Sequence, residues 1–125
     1  MKTILIIDDE ESLCDSLGIM FKQEGFNVLT AGDGNKGIAL LKDKQVDLVV
    51  TDMIMPEKDG FEIIIELKKL LPEIPIIAVS GGQKLGPLFY LKSAKQLGAN
   101  YVFSKPVERD DLLATVCEAL KGNET

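Results

Sequence analysis

Asp8, Asp9, Asp52, Ser80 and Lys105 are residue types that one reaction would need together. Carboxylates suit a hard divalent cation, and Mg²⁺ takes one or two of them, keeps several waters and favours phosphate oxygens as further ligands. A carboxylate is also a competent nucleophile toward phosphorus, giving an aspartyl phosphate. Phosphoryl transfer is catalysed mostly by positioning and charge neutralisation. Three acids held close would raise each other's pKa unless something positive joined them, and Lys105 or a bound cation could do so.

Each residue has a plainer reading alone. Asp8-Asp9 could be a helix cap followed by a first-turn acid, and Glu10 and Glu11 read as no more than helix-start acids. Asp52 could be a loop acid, Ser80 before two glycines a turn residue, and Lys105-Pro106 a loop end. The chemical reading gains its weight from coincidence: four separate strand ends deliver what a single reaction requires.

The elements that must position them are legible in the hydrophobic pattern. Residues 46–60 read VDLVVTDMIMPEKDG: an apolar run broken once by Asp47, then Thr51-Asp52, with Pro56 barring regular continuation. Such a run, here 46–51, predicts a strand buried on both faces of a parallel sheet. Asp59-Gly60 supplies turn chemistry before a helix carrying Phe61, Ile64, Leu67 and Leu71. Further strands are predicted at 3–7, 27–31, 76–79 and 101–103. The remaining helices carry Leu13, Leu17, Met20 and Phe21; Ile38, Leu40 and Leu41; residues 88–97; and Leu112, Leu113, Val116, Ala119 and Leu120.

Five strands alternating with five helices imply right-handed crossovers and a sheet covered on both faces. The expected fold is α/β: a doubly wound, five-stranded parallel sheet in order 2-1-3-4-5, a flavodoxin-like three-layer sandwich. In that order strands one, three and four are neighbours at the switch point, where ligands gather at the carboxyl edge. No linker or repeat divides the chain, so residues 1–125 read as one domain with no effector domain attached.

Composition excludes several classes of function. Net charge is −6, with 13 lysines and the single arginine Arg109, and there is neither a basic run nor patterned aromatics, which argues against direct nucleic-acid binding. No stretch approaches the roughly 18 consecutive apolar residues of a membrane span. The start, MKTILIIDDEE, meets acid too early for a signal peptide. Cys14 and Cys117 are expected to be reduced thiols in a cytoplasm. The absence of histidine removes Ser-His-Asp catalysis and the usual zinc sites.

The chain resembles the receiver domains of two-component response regulators over essentially its whole length. The resemblance rests on IIDDEE at 6–11, TDMIMPEKDG at 51–60, IIAVSGG at 76–82 and LGANYVFSKPV at 97–107. It implies that Asp52 is the phosphoacceptor, supplied by a sensor histidine kinase or phosphotransfer protein. It implies Mg²⁺ held directly by Asp9, Asp52 and the Ile54 carbonyl, with Asp8 acting through a water. Lys105 and Ser80 would hold the phosphoryl oxygens, and Lys105-Pro106 would be cis. The face of helix four, strand five and helix five is where family members usually meet targets or dimerise.

The sequence also departs from the family pattern. The position three before the lysine, often aromatic, is Val102, and strand alternation points Tyr101 to the opposite face. Ile54 and Gly82 offer no side-chain group to orient an attacking water, which predicts slow self-dephosphorylation. The segment 81–87, with three glycines, reads as a long mobile loop. Two rival functions fit less well: a haloacid-dehalogenase-type phosphatase needs DxDx[TV] where this chain has DDEE, and a flavodoxin-like cofactor binder needs a glycine-rich loop after strand one.

Overall fold

The computed structural model describes residues 1–53, 60–80 and 87–122, with side chains described outside 87–91 and 122. The chain alternates β1 (Thr3–Ile7), α1 (Glu11–Gln23), β2 (Asn27–Ala31), α2 (Gly34–Asp43), β3 (Leu48–Asp52), α3 (Gly60–Leu70), β4 (Ile76–Ser80), α4 (Pro87–Leu97), β5 (Tyr101–Ser104) and α5 (Arg109–Gly122). All strand pairs are parallel, and the order is β2-β1-β3-β4-β5, as the pattern predicts.

Strand composition follows position in the sheet. LVVTD and IIAVS are buried at every residue, as central strands covered on both faces must be. The edge strands NVLTA and YVFS are only partly buried and carry polar residues. One core half joins Leu5, Ile7, Val49 and Ala78 to Ile38, Ile63, Leu67 and Ala94 from α2, α3 and α4. The other joins Ile4, Ile6, Val50 and Ile77 to Leu17, Phe21, Leu112 and Val116 from α1 and α5. Val102 packs in the first half and Tyr101 and Phe103 in the second, the alternation expected of a strand.

Turn chemistry sets the spacing between elements. After α1, Gly25 adopts φ 92°, its N–H bonds the Lys22 carbonyl, and the Phe26 N–H bonds the Phe21 carbonyl. This is the paired C-terminal bonding that a left-handed glycine permits. The Phe21 and Phe26 rings meet edge to face at 6.2 Å across it. At the start of α2, the Asp33 carboxylate caps the Lys36 N–H at 2.9 Å.

The third strand is displaced from its expected span of 46–51. It begins at Leu48 because Asp47 makes a bracket with Thr3 instead: its N–H donates to the Thr3 carbonyl, and its Oδ2 accepts the Thr3 N–H, both at 2.8 Å. Asn100 repeats the bracket on Ile76, with its N–H at 2.8 Å and its Oδ1 at 2.9 Å. Both brackets precede strands, on the edge opposite Asp52. At the carboxyl edge β3 and β4 each run one residue further than the apolar pattern suggests, to Asp52 and Ser80.

Candidate functional site

The strand ends that carry Asp8, Asp52 and Lys105 are each tied to the backbone of a neighbouring strand. Beyond β1, the Asp8 N–H bonds the Ala31 carbonyl at 3.0 Å. After β3, the Met53 N–H bonds Val79 at 3.0 Å, fixing Asp52 as the last strand residue. After β5, the Lys105 N–H bonds the Ser80 carbonyl at 2.8 Å, so strands four and five are tied at the two residues the sequence singles out. The Lys105-Pro106 peptide is cis.

α3 closes against this edge. The Gly60 N–H bonds the Met53 carbonyl at 3.0 Å, and a Cβ on Gly60 would sit 2.6 Å from the Asp52 carbonyl oxygen and from Met53 Cα. No flexible side-chain tip could yield there, so glycine is required by close approach of backbone to backbone.

Asp8, Asp9 and Asp52 each offer a carboxylate oxygen within 4.8 Å of the others. Lys105 Nζ lies 3.2 Å from Asp8 Oδ2 and 3.4 Å from Asp52 Oδ2, with Glu10 Oε2 at 3.9 Å. The side chains of Asp8 and Asp52 are 5% and 6% exposed, that of Lys105 24%. Asp9 is exposed at the mouth. Ser80 is fully buried on the same edge, one register step beyond Val79, the partner of Asp52. Ile54 and Gly82 lie outside the described residues, as does the segment 81–86.

The donor set fits a hard cation. Carboxylate oxygens this close would suit Mg²⁺, which takes one or two carboxylates directly and keeps several waters. Asp8 has both oxygens committed, Oδ1 to the Glu10 N–H at 2.9 Å and Oδ2 to Lys105.

The electrostatics follow from burial. Desolvation pushes the Asp8 carboxyl above its ordinary range, and the Glu10 N–H and Lys105 offset this only in part. Burial alone would lower Lys105, but the Asp52 and Asp8 charges outweigh it and hold the ammonium raised. Cys14, whose Sγ donates to the Asp8 carbonyl at 3.4 Å, is pushed up to about 11 by burial and then by the Asp8 charge.

The structure thus gathers Asp8, Asp9, Asp52 and Lys105 and places Ser80 on their edge. The capping reading of Asp8-Asp9 is replaced, since the residue at the α1 cap is Glu10, which makes no side-chain cap bond. Sequence reasoning missed Glu10 as a neighbour of Lys105. The one local signal was its place directly after the acidic pair.

A family model for the response regulator receiver domain matches residues 4–117. The transcriptional regulatory protein GlrR of Escherichia coli (strain K12) is 33% identical over 118 residues, covering 94% of this chain and 26% of that protein. The transcriptional regulatory protein CpxR of Klebsiella pneumoniae is 35% identical over 121 residues, covering 97% of this chain and 50% of that protein. The chain therefore spans about a quarter to a half of the length of these curated relatives. Among solved structures, a response regulator receiver domain protein from Clostridium thermocellum superposes with a TM-score of 0.91 at 30% identity, over 99% of this chain and 98% of that one. A CheY-like receiver domain protein from Methanospirillum hungatei JF-1 gives the same score and identity. With its sheet order, its acidic edge and these matches in agreement, the chain belongs to the response regulator receiver domain family of two-component systems.

Proposed function

We propose that this domain is a phosphorylation-dependent switch that accepts a phosphoryl group on Asp52 from a sensor histidine kinase or a phosphotransfer protein. An Asp52 carboxylate oxygen forms the new O–P bond as the P–N bond of the phosphohistidine breaks. The imidazole leaves with that electron pair and takes up a proton. Lys105, already 3.4 Å from Asp52, meets the incoming phosphoryl oxygens, and the Ser80 hydroxyl bonds them after transfer. Asp9, Asp52 and the Ile54 carbonyl would hold Mg²⁺ directly and Asp8 through a water; the bound ion supplies charge neutralisation at the phosphoryl oxygens. The second role suits Asp8, whose oxygens are taken by Glu10 and Lys105.

The observation that carries this reading is the single ammonium shared by Asp8 and Asp52, from residues 97 and 53 positions away in sequence. The phosphoryl group adds charge and acceptor oxygens, and it biases whichever conformation contacts it better, about tenfold for each 1.4 kcal/mol of difference. The face made by α4, β5 and α5 is the proposed output surface, toward a protein target or a second copy. The domain catalyses only its own phosphorylation and slow dephosphorylation. The named relatives are transcriptional regulatory proteins, and a signalling role upstream of transcription, in the cytoplasm, is proposed by analogy.

The test is incubation with Mg²⁺ and acetyl phosphate, followed by intact mass measurement of wild type and Asp52→Asn. A phosphate adduct on the wild type alone, prevented by EDTA, is expected. Equal labelling of both proteins overturns the assignment.

A further inference from the structure

The ammonium at the centre of the site has a third neighbour. Glu10 Oε2 lies 3.9 Å from Lys105 Nζ, and its side chain is 58% exposed, against 5% for Asp8. Glu10 therefore stands on the solvent side of the lysine. Its placement is set by the backbone: its N–H is held by Asp8 Oδ1 at 2.9 Å, and its carbonyl accepts the N–H groups of Leu13 and Cys14 as α1 begins. With φ −87° and ψ 99° it is extended, and its carboxylate makes no cap bond to α1.

We propose that Glu10 is a positioning residue that selects among phosphoryl donors, disfavouring small dianionic ones. This rests on Asp52 being the acceptor and Lys105 the phosphoryl-binding cation. A free dianion approaching Lys105 meets the Glu10 charge at the rim and must displace it from the ammonium. A phosphohistidine presented by a protein brings its own contacts, which can offset that repulsion. A negative charge at the mouth of a cleft changes the encounter of an anion with it, and the effect fades as salt screens it.

The test compares wild type, Glu10→Gln and Glu11→Gln in Mg²⁺, following adduct formation by intact mass over time. The donors are acetyl phosphate and phosphoramidate, which carries less negative charge, each at low and high ionic strength. At low salt, Glu10→Gln should label faster than wild type with acetyl phosphate by roughly tenfold, less with phosphoramidate, and the gain should shrink at high salt. Glu11→Gln removes the same formal charge one residue on and should stay near wild type. Unchanged or slower labelling of Glu10→Gln overturns the proposal. So does a gain independent of donor and salt, which would mark a structural loosening, or an equal gain in Glu11→Gln. Absence of an adduct on every variant instead overturns the phosphoacceptor reading itself.

Discussion

Lys105 Nζ lies 3.4 Å from Asp52 Oδ2, although 53 residues of chain separate the two. The contact exists because β3 and β5 flank β4 and end at the same edge, each tied to it by a backbone hydrogen bond from the residue just past its end. Removing the ammonium would take from Asp8 and Asp52 the cation they share. Lys105→Met should therefore slow labelling by acetyl phosphate about 100-fold, the usual loss when one charge-stabilising donor is deleted. Time-resolved intact mass measurement checks this; a variant that labels at the wild-type rate removes Lys105 from the mechanism.

Asp8 makes the stability of the metal-free domain depend on pH. Its folded pKa is raised, chiefly by burial, so the folded state holds the proton more tightly than the unfolded chain does. The resulting stability is fully present below the ordinary carboxyl value of 3.8 and is lost as pH rises through the folded pKa. In EDTA, Asp8→Asn should remove this component and melt above wild type at pH 7. It should also respond less to added Mg²⁺. Thermal melts in EDTA and in Mg²⁺ at several pH values read both effects, and a variant that melts below wild type in EDTA contradicts the argument.

The brackets Thr3–Asp47 and Ile76–Asn100 should contribute to stability without touching the chemistry. Asp47→Ala should cost about 1–2 kcal/mol by leaving the Thr3 N–H without its carboxylate, and Asn100→Ala about 1 kcal/mol. Asp47→Asn keeps an acceptor and should cost less. Urea titrations measure the losses, while acetyl phosphate labelling of the folded variants should match wild type.

Cys14 and Cys117 should differ sharply toward a thiol reagent. Cys14 is buried with its pKa near 11, whereas Cys117 is exposed, and the thiolate is the reactive form. At pH 7.5, a native sample should release about one thiol equivalent rapidly, from Cys117, and about two after denaturation. Equally fast reaction of both in the folded protein would show that the Cys14 environment is more open than its burial implies.

Much of this was legible in the chain, and the reasons are physical. Central strands buried on both faces must be apolar throughout, so β1, β3 and β4 announced themselves in ILII, LVV and IIAV, and the alternation with helices carried the topology. Strand ends were less readable, because the ladder bonds that extend β3 to Asp52 and β4 to Ser80 belong to backbone atoms that carry no sequence signal. Asp47 looked like a defect in a strand because its carboxylate substitutes for a ladder partner on β1, which local pattern does not reveal. Glu10 was passed over for the same reason: its approach to Lys105 joins the ends of β1 and β5, a relation between residues 95 positions apart.

The side-chain brackets at the far rim have an evolutionary corollary. Asp47 and Asn100 fasten the starts of β3 and β5 to the sheet, so those two strands are anchored at the edge away from the acidic pocket. Under the proposed switch function, substitutions beside the pocket can alter kinase or target preference while these brackets hold the opposite edge.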